Sequence, residues 1–140
     1  MVGIVFALRT NGPRLYEFTQ DVRSWVDKNG CETGLLTLFV RHTSCSLLVQ
    51  ENADPDVQVD LNAFFQRLVP SADHPDMQYL THIYEGPDDM PAHIKAVLMP
   101  VSLTIPISNA RLMLGTWQGV YLFEHRTHPH VRSVFAHISA

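Results

Sequence analysis

Residues 101–138 read VSLTIPISNARLMLGTWQGVYLFEHRTHPHVRSVFAHI. Val101, Leu103, Ile105 and Ile107 alternate with Ser102, Thr104 and Pro106 as far as a turn at Ser108-Asn109, which is the period of a strand with one face buried. Pro106 inside that run predicts an edge strand or a bulge, because proline has no N–H to give to a ladder. Leu112 to Leu114, Gln118 to Glu124 and Val131 to Ile138 predict three further strands, separated by Gly115-Thr116-Trp117 and by His125 to His130. Strands this close together leave no room for crossover helices, so the pairing is expected to be antiparallel.

Outward from there, the N-terminal side supplies more strands and three helices. Val2 to Arg9 and Leu15 to Phe18, joined through Asn11-Gly12-Pro13, predict a hairpin. A helix over Asp21 to Asn29 follows, capped by Thr19, with Val22, Trp25 and Val26 on its apolar face and Lys28 and Gly30 at its end. Leu35 to Val40 and Cys45 to Gln50 are strands. Asp54-Pro55-Asp56 is a helix start with cap, first-turn proline and first-turn acid in order. The helix it opens runs to about Val69, with Val57, Leu61, Phe64, Phe65 and Leu68 as a stripe expected in the core. Ser71 to Gln78 is a loop. The expected class is therefore α+β, one domain over residues 1–140, built as a mainly antiparallel twisted sheet or sandwich with about three helices.

Composition narrows the function. With 46% apolar and 17% charged residues the chain is of the compact soluble kind, and so little charge points to burial of some surface against other copies. A formal charge of -4, with ten dispersed basic residues, excludes nucleic acid as an expected partner. Two cysteines make neither a disulfide framework nor a cysteine-rich zinc site. The start lacks a basic n-region, and no apolar run reaches membrane-spanning length, so a cytoplasmic protein without membrane attachment is expected.

The chemistry concentrates in 79-YLTHIYEGPDDMPAHIKAVLMP-100, read as strand, tight loop and helix. His82 lies on the expected strand, Gly86-Pro87 turns the chain, Asp88 or Asp89 caps the helix, Pro91 suits its first turn, and His93 is placed in that turn. Two imidazoles brought together by a carboxylate-rich turn are a ligand set for a divalent metal, or else an acid–base pair. Three other clusters are weaker. His42-Thr43-Ser44-Cys45-Ser46 offers imidazole, hydroxyls and a thiol, as phosphate binder, nucleophile and base, or plain sheet surface. Gly115-Thr116-Trp117-Gln118-Gly119 is a ligand contact or a bulge with a tryptophan plug. Glu124-His125-Arg126 reads most simply as a surface ion pair at a strand end. His128, His130 and His137 are expected to be exposed or structural.

Three stretches in consistent order, RHTSCSLLVQENADPDVQVDLNAFFQRLVP, THIYEGPDDMPAHIKAVLMP and RLMLGTWQGVYLFEHR, resemble the YjbQ family, also called secondary thiamine-phosphate synthases. The resemblance covers about Leu35 to Arg126. It implies an α+β fold and a homotrimer with sites near subunit boundaries. It also implies a divalent ion, zinc or magnesium, at His82 and His93. The family's polar positions fall here on His42, Thr43, Ser44, Glu51, Asn52, Asp54, Asp60, His82, Glu85, Asp88, Asp89, His93, Lys95, Thr116, Trp117, Gln118 and Glu124. On that pattern His42, Ser44, Glu51, Asp54, Asp89, Lys95 and Glu124 are the candidate catalytic residues. Thr43, Asn52, Thr116, Trp117, Gln118 and Arg41 are the candidate contacts to a small phosphorylated or heterocyclic ligand. The implied reaction joins a hydroxymethylpyrimidine diphosphate to a thiazole phosphate with release of diphosphate, for which Lys95 and Arg41 would assist the metal and Trp117 with Gln118 would hold the pyrimidine. A different metal-dependent hydrolase of a phosphorylated compound and a non-catalytic ligand-binding trimer are the alternatives. Cys45 departs from the small residue usual in the family.

Overall fold

The computed structural model describes residues 2–140. In chain order it contains β1 (Val2–Asn11), β2 (Arg14–Glu17), α1 (Thr19–Asn29), β3 (Thr33–Val40), β4 (Cys45–Glu51), α2 (Pro55–Leu68), a 3-10 turn at Pro75–Met77, α3 (Asp89–Leu98), β5 (Ser102–Ser108), β6 (Arg111–Leu112), β7 (Gln118–Glu124) and β8 (Pro129–Ser139). The strands pair antiparallel throughout, in a five-stranded sheet of order β1-β8-β3-β5-β6 and a three-stranded sheet of order β2-β7-β4. The fold is a single domain of two curled antiparallel sheets with three α-helices.

The run Val120-Tyr121-Leu122-Phe123 explains the layering. Four consecutive apolar residues cannot share one face of a strand, so β7 must be covered on both sides. Val120 and Leu122 face the larger sheet and join the core of Leu36, Leu38, Val40, Val134, Ala136 and Ile138, together with Val22 and Val26 of α1. Tyr121 and Phe123 face the other way, onto Leu15, Met99 and the half-buried Leu61 and Phe65 of α2.

Several expectations change on contact with this architecture. β1 and β2 are not a hairpin: β1 pairs with β8 and β2 with β7, so the chain crosses between sheets at Gly12, whose φ of +93° requires glycine. Tyr16 fixes that corner, its hydroxyl accepting from the Asn11 N–H at 2.7 Å and donating to the Gly12 carbonyl at 2.9 Å. Thr19 is not a cap but the first helical residue of α1, and its hydroxyl accepts from the Val120 N–H. Gly30 ends α1 in an extended conformation, not a left-handed one. Trp25 is half-buried, packed on the core's edge against Phe6. The α2 stripe is core only in part, through the half-buried Leu61 and Phe65. None of its residues is buried, and Phe64 and Leu68 stay more than half exposed, because the smaller sheet offers it only three strands to lie on. The start signal at Asp54 is as expected, its carboxylate accepting from the Asp56 N–H at 2.9 Å. Pro106 lies where β5 runs beside only the two residues of β6, hence along an edge. No helix among the described residues is long and apolar enough to cross a membrane.

Candidate metal centre

Three chain segments carry the backbone from one sheet to the other at the same end of the molecule: after β1, between β3 and β4, and between β7 and β8. Glu124 clasps them. Fully buried, it accepts from Thr10 Oγ1 at 2.6 Å, Arg132 Nε at 2.7 Å and the backbone N–H groups of His125 and Arg126 at 3.0 and 3.1 Å. Arg132 in turn donates to the carbonyl and hydroxyl of Ser44. Burial pushes the Glu124 carboxyl up, but the hydrogen bonds from Arg132 and Thr10 outweigh it and hold the group below the usual range. The Glu124-His125-Arg126 segment is therefore no surface ion pair. Its arginine turns away to a different partner.

That partner is the loop before α3. The expected strand around His82 does not form; residues 78–88 are turns and irregular chain, since the loop is tied by local bonds instead of a ladder. The Ala72 N–H donates to the Pro87 carbonyl at 2.8 Å, and Gly86 adopts a φ of +99°. Asp88 occupies the cap position of α3 without capping it with its side chain. Its carboxylate instead accepts from Arg126 Nε at 2.8 Å and from the Thr127 N–H and hydroxyl at 2.9 and 3.1 Å. Burial pushes this carboxyl up, and the Thr127 and Arg126 donors bring it down to about 2.

Asp89, buried, is the centre of the arrangement. Its Oδ1 accepts from Arg126 Nη1 at 2.7 Å, while its Oδ2 lies 2.7 Å from His82 Nε2 and 3.3 Å from His93 Nε2. His93 stands four residues after Asp89, a turn further along α3 than expected. Glu85 Oε2 approaches His82 Nε2 at 2.8 Å. Burial raises the Asp89 carboxyl, but the His82 hydrogen bond and the Arg126 charge outweigh it and keep the group lowered. The bond to Asp89 raises the His82 pKa, with Glu85 adding to it. One ligand atom each of His82, Asp89 and His93 lies within 4.8 Å of the others.

The tautomer of His93 shows what the cluster fits. Its Nδ1 is 3.0 Å from the Thr43 carbonyl, an acceptor only, so Nδ1 carries the proton. Its Nε2 then faces the Asp89 Oδ2 at 3.3 Å, a contact that a proton on the ring or a metal ion between the two atoms satisfies. Bonds of about 2.0 Å to a tetrahedral ion set ligand atoms about 3.3 Å apart, which is the His93–Asp89 spacing, whereas His82 and Asp89, hydrogen-bonded at 2.7 Å, would part to admit an ion. The backbone carbonyl on the far ring nitrogen is the usual support of a ligating histidine. Two imidazoles and a carboxylate suit zinc and related transition ions better than magnesium, which prefers oxygen.

The remaining candidates fall into three places. His42 Nε2 accepts from the Ser133 N–H at 2.8 Å, latching the β3–β4 connection to β8; burial and the Arg132 charge lower its pKa. Ser44 is buried against Arg132, and Thr43 contributes its carbonyl to His93. Arg41 is exposed. Lys95 is buried, and burial lowers its pKa against the counter-effect of Asp88. Cys45 is a buried thiol that burial pushes up to about 12. Glu51, Asn52, Asp54, Thr116, Trp117 and Gln118 lie apart. Registers pair Cys45 with Glu124 at one end of β4 and Glu51 with Gln118 at the other. Six strand residues make about 20 Å, so these six residues do not meet the histidine cluster within one chain. There Asn52 donates to Glu17 at 3.1 Å, Gln118 accepts from the Gly115 N–H at 2.7 Å, and Trp117 is 64% exposed. The sequence reading missed the Arg126–Asp88–Asp89 clamp and the burial of His125. The signal for the latter was the unbroken apolar run before it, which buries both faces of β7.

Comparison with known proteins agrees with this architecture. The family model described as UPF0047 protein YjbQ-like matches residues 5–140. A UPF0047 protein of Synechocystis is 51% identical over 135 residues, 96% of this chain and 89% of that protein. The YjbQ protein of Salmonella typhimurium is 49% identical over 105 residues, 75% of this chain and 72% of that one. Among solved structures, an uncharacterised conserved protein of the same family from Clostridium acetobutylicum superposes with a TM-score of 0.85 at 35% identity, covering 97% of this chain and 99% of that one. With the family model matching residues 5–140 and a relative 51% identical over 96% of this chain, the chain belongs to the YjbQ (UPF0047) family.

Proposed function

We propose that His82, Asp89 and His93 hold a divalent metal ion, zinc before magnesium, and that the protein is a metal-assisted enzyme acting on a small phosphorylated substrate. The observation that carries this is the convergence of His82, Asp89 and His93, one ligand atom of each within 4.8 Å of the others, with the second ring nitrogen of His93 committed to the Thr43 carbonyl. The reaction we assign is the joining of hydroxymethylpyrimidine diphosphate to thiazole phosphate: the bond from the methylene carbon to the diphosphate breaks, that carbon bonds to the thiazole nitrogen, and diphosphate leaves. When bound, the ion supplies positive charge to the leaving diphosphate.

The chain's own groups divide the remaining work. Arg126 fixes the Asp89 carboxylate and cancels the charge of Asp88, so the acidic loop does not repel an anionic substrate. Glu85, exposed and beside His82, holds or moves a proton at the rim. His82 is nearly half exposed and Tyr84 almost wholly so, which leaves the cluster open in a single chain. A homotrimer supplies the missing wall, and the outer face on which exposed Val5, Phe135 and Phe39 are cross-strand neighbours is a surface suited to such packing.

Incubating the zinc-loaded protein with both substrates tests the reading. Thiamine phosphate and diphosphate are expected, and both are lost in His82→Ala and His93→Ala. Phosphate release without the joined product replaces the assignment with a hydrolase, and tight ligand binding without turnover replaces it with a binding protein.

A further inference from the structure

A cavity of about 360 Å³ opens on the other side of Asp88, between the start of α3, the β7–β8 connection and the Pro13 corner. Lys95 and His125, both at least nine-tenths buried, line it. His125 Nε2 lies 2.9 Å from the Ser46 hydroxyl, whereas its Nδ1 is a buried nitrogen without any hydrogen-bond partner among the described residues. A buried nitrogen left unpaired is unfavourable, and a ligand that pairs with it removes that cost. Pro13, Val69 and Pro91 supply apolar wall, while Gln66, Ser71, Thr127 and His128 add polar groups to the lining. Asp88 is the one carboxylate on the wall, and its Oδ2 is already occupied by Arg126 and Thr127.

We propose that this cavity binds a small organic oxyanion, its phosphate or carboxylate head between the Lys95 ammonium and His125 Nδ1–H and its apolar body against Pro13, Val69 and Pro91. In this arrangement the Ser46 hydroxyl donates to Nε2, which leaves the imidazole proton on Nδ1 for the anion. An imidazole N–H and a buried lysine whose nearby carboxylate, Asp88, is bound to Arg126 and Thr127 give an anion both charge and direction. The occupant is distinct from the proposed metal and does not depend on it.

Titration of the full-length, chelator-treated protein with phenyl phosphate, benzoate and neutral benzyl alcohol, followed through the ring nitrogens of His125 in 15N-histidine spectra, tests the proposal. At least one of the two anions is expected to saturate the shift of His125 with Nδ1 protonated in the complex, and benzyl alcohol to bind at least tenfold more weakly. Lys95→Met is expected to weaken the anion at least tenfold and Lys95→Arg to restore part of it. An unmoved His125 at millimolar ligand, an unprotonated Nδ1 in the complex, or equal binding of alcohol and anions overturns the assignment. Should Lys95→Met not fold, the tautomer and the alcohol control on the natural sequence still decide.

Discussion

Arg132→Met removes the main partner of Glu124 without opening a large void. The carboxylate keeps Thr10 Oγ1 and two backbone N–H groups but loses its only buried counter-charge at the clasp, and Ser44 loses its donor as well. Stranding a buried charge in this way costs about 3–5 kcal/mol. With a urea slope of roughly 2 kcal/mol per M for a chain of this size, the unfolding midpoint at neutral pH falls by about 1.5–2.5 M. Glu124→Leu combined with Arg132→Met recovers much of that loss, because no charge remains to be paired. Since the folded-state pKa of Glu124 lies below its ordinary 4.5, the pairing contributes fully above that pH and is lost as pH falls through the folded value. The gap between natural and Arg132→Met protein therefore narrows in acid. A midpoint shift under about 0.5 M, or a double variant no better than the single one, would refute the view that Glu124 is a structural clasp and return it to the catalytic candidates.

Thiol labelling separates the two cysteines: half-buried Cys31 reacts with iodoacetamide in the native protein, while Cys45, buried and pushed up to about 12, reacts only after unfolding; fast labelling of Cys45 would restore it as a nucleophile. In metal-free protein the His82 ring titrates above its ordinary 6.5, and Asp89→Asn lowers that pKa, both readable by NMR. The contribution of this bond to stability is present below the unfolded pKa and fades as pH rises through the folded one; a His82 titration unchanged by Asp89→Asn contradicts the pairing. Gly86→Ala forces a side chain to a φ of +99° with its Cβ about 3.0 Å from Asp88 Oδ1, costing about 1–2 kcal/mol in thermal unfolding; an unchanged melting temperature means the loop does not need that turn.

The parts of the fold that the sequence makes legible are those set by local periodicity. The β7 strand bounds, the Asp54 start of α2 and the edge character of β5 follow from alternation, capping chemistry and the missing N–H of Pro106. Which strands pair is not local, and so β1 and β2 read wrongly as a hairpin: Asn11-Gly12-Pro13 turns the chain equally well between two sheets. The His82 segment has a strand's alternation, but its neighbours are paired elsewhere and no ladder is open to it. The histidine loop is legible as a group because its residues lie within one short stretch. Arg126, which organises that loop, comes from 37 residues beyond Asp89, and spacing carries no trace of such a contact.

Elemental analysis of purified, zinc-loaded protein, alongside its mass in solution, tests the central claim most directly. The account predicts one ion per chain in the natural sequence, and its loss from His82→Ala, His93→Ala and Asp89→Asn while the mass in solution is unchanged. Natural protein that takes up no metal on loading, or variants that retain it, would contradict the metal centre and leave Asp89 and the two histidines as a hydrogen-bonded cluster alone.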